Sequence, residues 1–146
     1  MRLKFQRAKT EKEIRDIYDY NIDAFSDSPD FKWTLEEIKK EVSEDWQLFS
    51  MTLDGEIIAA LFYKIEKDSL LTKNTALKVT HQGSGYSHNM KEFFEKTARD
   101  NKLKKIFHYC RIDNFRTYSL NESHKYKKTP NKYGPSELVV EWVKTL

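Results

Sequence analysis

Cysteine is nearly absent from this chain: Cys110 stands alone. An internal disulfide is therefore excluded, and a thiolate-based structural zinc site is not expected. Glycine and proline are also scarce, at four and three residues, too few for a linker-rich or disordered chain. No stretch approaches the roughly 18 consecutive apolar residues of a membrane-spanning helix. The opening MRLKFQRAKT offers no apolar core for a secretory signal. These absences set the expectation of a cytoplasmic protein with no membrane partner.

What is present fits one compact domain over residues 1–146. Aromatic side chains make up 14 % of the sequence, and large rings supply core area from few positions. The net charge is only +3, but it is unevenly spread. Residues 1–68 carry 11 basic against 16 acidic side chains, whereas residues 99–132 carry 10 against 3. The first stretch is suited to cations and the second to phosphates, with scattered solvated charge as the plainer alternative. Nucleic acid is a disfavoured partner, because no helix-turn-helix, zinc-finger or RNP-like pattern accompanies the basic stretch.

Periodicity divides the chain into short elements. Residues 3–6 read as a strand. Thr10 and Glu13 form a capping box ahead of Ile14, Ile17, Tyr18 and Phe25 at helical spacing, the helix ending near Ser26–Asp30. A second box, Thr34 with Glu37, opens a shorter helix using Leu35, Ile38 and Val42. Strands follow at Trp46–Leu53, Ile57–Ile65 and Ser69–Val79, joined by turns at Asp54–Gly55 and Lys67–Asp68. The second of these is apolar almost throughout, which predicts a central place in a sheet. Met90, Phe93, Phe94, Thr97 and Ala98 mark a helix ending near Lys102. A buried strand at Lys105–Ile112, a helix over 114–124, and closing strands at Tyr126–Lys128 and Leu138–Val143 complete the reading, with a loop at Pro130–Pro135. The crossover from 69 to 112 predicts a parallel strand pair with a ligand at its loop.

That loop reads Gln82-Gly83-Ser84-Gly85-Tyr86-Ser87. Gly83 and Gly85 remove side chains where an anion needs close access, and their freedom lets successive amides turn inward. The following helix adds free amides and the positive end of its dipole. Gln82, Ser84 and Ser87 can donate through their side chains. It is not a P-loop, since no Gly-Lys-Ser/Thr follows. The third glycine of a dinucleotide fingerprint is missing as well. An ordinary flexible turn is the alternative.

The segment resembles the acetyl-CoA-binding stretch of the GCN5-related N-acetyltransferase superfamily, a strand, an Arg/Gln-Gly-x-Gly-x-Gly/Ala loop and a helix. Gln82, Gly83, Gly85 and Ser87 occupy the matching places. Farther on, Asn114, Thr117, Leu120 and Lys125–Tyr126 follow the spacing of the family's Asn-bearing helix, with Lys125 where a glycine is usual. The resemblance implies an α/β (α+β) fold, a mixed central sheet of about six to seven strands flanked by about four helices. It implies acetyl-CoA as cofactor. Leu77 and Val79 would lie along the pantetheine arm, Gln82, Gly83, Ser84, Gly85, Tyr86 and Ser87 would hold the pyrophosphate, and Asn114 would steady the far end of the arm in a gap between splayed parallel strands.

The implied reaction is acetyl transfer to a primary amine, on a small molecule, a protein lysine or an N-terminus. The family's usual general acid is a tyrosine at the place of Asn121, which can donate a hydrogen bond but not a proton. Tyr118, one turn earlier on the same helical face, is the candidate substitute, with packing or substrate contact as its alternative. His108 and Cys110 share a strand face. His108 has the intrinsic pKa of a base, with a purely structural histidine as the alternative, and Cys110 reads as packing. His81 borders the loop and could reinforce an anion site, with plain solvent exposure as its alternative; His88 and His124 show no metal-ligand spacing, and no metal is expected. Acidic residues Asp19, Asp23, Asp27, Asp30, Glu36 and Glu37 crowd the segment that would meet the acceptor, with Phe31 and Trp33 beside them. The competing reading is a non-catalytic acyl-CoA-binding or interaction module, consistent with Asn121; a longer-chain or aminoacyl transferase is another. Small enzymes often pair symmetrically, so a homodimer is an open expectation.

Overall fold

The computed structural model describes residues 2–19, 34–77, 81 and 83–146. Seven strands form one sheet: β1 (Leu3–Arg7), β2 (Gln47–Leu53), β3 (Glu56–Glu66), β4 (Ser69–Leu77), β5 (Lys105–Arg111), β6 (Lys127–Tyr133) and β7 (Val139–Thr145). Four helices accompany them among the described residues: α1 (Glu11–Asp19), α2 (Leu35–Ser43), α3 (Tyr86–Asp100) and α4 (Phe115–Ser123). Among the described residues the strand order is β1-β2-β3-β4-β5-β7-β6, with only β4 and β5 parallel. The expected α/β architecture and its parallel crossover are both present.

Local chemistry explains the boundaries. The amide of Thr10 donates to Glu13 Oε1 at 2.9 Å and that of Glu13 to Thr10 Oγ1 at 3.2 Å, so each end of the box satisfies the other. Glu37 N likewise donates to Thr34 Oγ1 at the start of α2. The β2–β3 hairpin turns at Asp54 (φ 50°) and Gly55 (φ 89°), the left-handed pair of a type I′ turn. The predicted course of the first helix beyond Asp19, including Phe25, lies outside the described residues, as does the end of the β4 segment at Val79.

β3 is central, and Ile58 through Phe62 are fully buried. Its alternation feeds two cores. Ala60 and Phe62 meet α1 and α2 through Ile14, Ile17 and Ile38. Ala59 and Leu61 join the core under α3 and α4, with Phe94, Ile106 and Trp142. Aromatic stacking ties α3 to the first strands: Phe93 lies 4.4 Å from Phe5 and 5.1 Å from Phe49, centroid to centroid.

The closing strands depart from the expectation. The first runs to Tyr133 and contains Pro130, where a loop was expected. Because β6 is the last strand of the sheet, a missing N–H there is tolerated. Its ladder shifts between Lys128, opposite Trp142, and Lys132, opposite Val140, so residues 129–131 all face Glu141. The turn is confined to Gly134–Leu138 and includes a short 3-10 segment at Pro135–Glu137.

Candidate active site

β4 and β5 pair at Ser69–Lys105, Leu70–Ile106 and Leu71–Phe107. Beyond Phe107, β5 continues against β7 and β4 against β3. The two parallel strands therefore part after three registered pairs, and a gap opens between them. Thr72 and His108 stand at its apex. Thr72 Oγ1 lies 3.0 Å from the carbonyl of Phe107, to which it donates, and 2.5 Å from His108 Nδ1.

The loop at the far end of β4 leads to the N-terminus of α3. Gly85 is its cap residue in the left-handed region (φ 88°, ψ −2°), and no side chain among the described residues caps the helix. The first turn carries no acid. Gly83 is also left-handed, and a Cβ added at either glycine would meet nothing within 4 Å among the described residues. Gly83, Ser84 and Gly85 are exposed, and Tyr86 and Ser87 are half-buried. An uncapped helix start beside open space is suited to an anion. Leu77 is buried in the core under α3. Val79 and Gln82 lie outside the described residues. His81 borders the loop, its ring 5.9 Å from that of Tyr86.

On the α3 side of the gap, several buried polar atoms have no hydrogen-bond partner among the described residues: His108 Nε2, Tyr118 Oη, both amide atoms of Asn121, Tyr126 Oη and Trp142 Nε1. Such atoms are uncommon inside folded chains and call for a ligand or solvent. Asn121 is fully buried, on the α4 face shared with Tyr118, whose ring meets Trp142 edge-on at 5.1 Å. Burial, reinforced by Cys110 and Asp113, raises the Tyr118 phenol above its ordinary pKa, so it keeps its proton at neutral pH. Burial, with Lys91 and His124 adding to it, holds His108 well below the usual imidazole value. It is neutral there, between the rings of Phe94 and Tyr126, and a weak proton acceptor. Cys110 is buried.

Asn114 caps α4, its Oδ1 accepting from Thr117 N at 3.3 Å. That bond gives the Asn–Thr spacing a structural reason. At the other end Lys125 has φ 70°, and Tyr126 N donates to Asn121 O at 2.9 Å while Lys125 N donates to Glu122 O at 3.0 Å. This is a left-handed helix stop that glycine fills more cheaply. His88 Nδ1 and His124 Nε2 sit 2.8 Å apart, a pairing invisible in their spacing. Burial lowers the His124 pKa, with Glu95 opposing and His88 assisting.

The opposite side of the sheet holds a group that sequence reading missed. Glu141, only 5 % exposed, accepts four hydrogen bonds: from Thr129 Oγ1 (2.9 Å) and Asn131 Nδ2 (3.0 Å) at Oε1, and from the Tyr109 (2.9 Å) and Tyr133 (3.1 Å) hydroxyls at Oε2. Burial alone would raise this carboxyl, but the four bonds outweigh it and hold the pKa below the ordinary value. One signal was available: a lone carboxylate inside the apolar run Val139–Val143.

Three solved structures superpose over nearly the whole chain. The ribosomal-protein-S18-alanine N-acetyltransferase from Escherichia coli matches with TM-score 0.80 at 15 % identity, over 99 % of this chain and 94 % of that one. A GNAT family acetyltransferase from Elizabethkingia anophelis with acetyl-CoA bound gives 0.76 at 14 %, over 99 % and 98 %. The PaiA N-acetyltransferase from Thermoplasma acidophilum in complex with coenzyme A gives 0.77 at 11 %, over 100 % of both chains. The chain has the GCN5-related N-acetyltransferase fold. No family model and no curated protein matches the sequence, so in this chain the GNAT fold is recognised through its shape.

Proposed function

We propose that this chain is an acetyl-CoA-dependent N-acetyltransferase acting on a primary amine. The observation that carries the reading is the acid-free start of α3, uncapped and with open space at Gly83 and Gly85 among the described residues, beyond the strand that parts from β5. Gly83, Ser84, Gly85, Tyr86 and Ser87 would hold the pyrophosphate through amides and hydroxyls, with Gln82 adding its side chain. The β4 backbone through Leu77 and Val79 would pair with the amide groups of the pantetheine arm, as an added strand does, and Asn114 would stand at its far end. When bound, the cofactor supplies an acyl group activated as a thioester.

The protein's own part is to orient, to exclude water and to donate hydrogen bonds. Asn121 Nδ2 and Tyr118 Oη are donors without a partner among the described residues, and the raised phenol pKa keeps the proton on the second. His108, neutral but weakly basic, serves better as a fixed dipole at the apex than as the base that takes the amine's proton. The amine must arrive deprotonated or lose its proton to solvent.

Calorimetry with acetyl-CoA tests the site: Gly85→Glu puts a carboxylate into the cradle and should abolish measurable binding, and unchanged affinity would reject the assignment. The second reading, a non-catalytic acyl-CoA-binding module, rests on Asn121 standing where a proton donor is usual. Thiol release with a panel of amines separates the two: binding without turnover favours the module.

A further inference from the structure

An ionised side chain buried away from water is normally paired with an opposite charge. Glu141 has no such partner among the described residues; all its bonds come from neutral donors. Arg111, two residues along β5 from Tyr109, has its guanidinium turned to Asp113 at 3.2 Å.

The arrangement is built rather than incidental. The β6 bulge sets three residues against one, which brings both Thr129 and Asn131 onto Oε1. Bulges re-aim side chains in this way, often beside sites. Tyr109 is in register with Glu141 across β5 and β7. The rings of Tyr109 and Tyr133 meet edge-on at 5.6 Å. Tyr133 is 46 % exposed, so the group opens to solvent on one side.

A carboxylate has about four acceptor positions, and here four donors use them. A ligand would therefore meet the two phenols rather than the carboxylate itself. Each phenol that donates to a carboxylate becomes a better acceptor at its own oxygen, and aromatic faces attract cations. Glu66 adds to the negative field at Tyr109.

The position relates this group to the gap. Tyr109 follows His108, so it lies one residue past the apex and points to the opposite side of the sheet. That side also carries α1 and α2, on Ala60 and Phe62.

We propose that Tyr109 and Tyr133, polarised by Glu141, bind a positively charged group on the acceptor, separate from the amine that reacts. The acceptor class is then a dicationic amine: a diamine, a polyamine or an amine next to a basic side chain. Glu141 is a positioning residue, acting through the two tyrosines. The proposal rests on the transferase reading for its role in catalysis but not for the binding it claims.

The test is calorimetry of the full chain with α,ω-diamines from 1,3-diaminopropane to 1,6-diaminohexane, against the matching monoamines, with and without coenzyme A. The wild type should bind at least one diamine about ten-fold tighter than its monoamine, a difference typical of one well-placed cation site. Glu141→Gln and Tyr133→Phe should erase that preference while leaving acetyl-CoA affinity unchanged. In turnover assays the same variants should raise KM for the diamine with little change in kcat. Tyr133 is exposed, so its variant tests the site even where Glu141→Gln does not fold. A wild type that prefers no diamine, or variants that keep the preference, would overturn the proposal. Loss of acetyl-CoA binding with diamine preference intact would instead refute the transferase reading alone.

Discussion

His108 Nδ1 and Thr72 Oγ1 lie 2.5 Å apart where the parallel strands separate. One hydroxyl proton is already directed at the Phe107 carbonyl, so the imidazole donates to Thr72 from Nδ1 and carries its free lone pair at the unpartnered Nε2. The bond pins the ring at the apex.

Stability should fall as pH drops below about 6.5, the ordinary imidazole value. The unfolded chain takes up a proton there, whereas folded His108, with its pKa well below that value, does not. The contribution is fully present above pH 6.5 and is lost progressively toward the folded pKa. Urea midpoints measured at pH 7 and pH 5 should differ, and His108→Gln should reduce that difference. The lowered His124 pKa acts in the same direction, so the slope should shrink without vanishing.

Gly85→Ala should separate backbone strain from electrostatics. The left-handed conformation disfavours a Cβ by about 1–2 kcal/mol, yet the added methyl meets nothing within 4 Å among the described residues. Thermal melting should report that loss. Acetyl-CoA affinity should fall far less than in Gly85→Glu; equal losses in both variants would mean that the carboxylate is not what excludes the phosphates.

Lys125→Gly should stabilise the protein by about 0.5–1 kcal/mol, raising Tm by about 2 °C. Lys102, with φ 57° at the end of α3, should respond similarly. A decrease in either melting temperature would show that the lysine side chain outweighs its backbone strain.

Asn121→Leu removes a buried amide that has no partner among the described residues, so stability should hold or rise. Transferase turnover should drop by about ten-fold or more if that amide steadies the reacting group. A destabilised protein with normal kcat would make Asn121 purely structural.

Much of the fold was readable because its signals are local. Thr10 with Glu13, Asp54–Gly55 and the apolar run of β3 each specify their structure within a few residues. The glycine loop and its helix were legible for the same reason. Lys125 shows the limit: the backbone there takes the glycine-like conformation although the residue is not glycine. Pro130 and the surrounding lysines read as a loop because nothing in their own neighbourhood reveals that β6 is an outer strand. The Glu141 group was invisible because its donors come from three strands and meet only through register. The His88–His124 contact depends in the same way on how α3 and α4 lie together.

The outer strand has one more consequence. A bare sheet edge invites another chain to extend it. Here Pro130 withholds an amide, the bulge at residues 129–131 interrupts the even spacing of donors and acceptors, and Lys127, Lys128 and Lys132 line the border with like charge. A second copy meeting that border would find neither a continuous ladder nor a neutral surface, so self-association through β6 is discouraged.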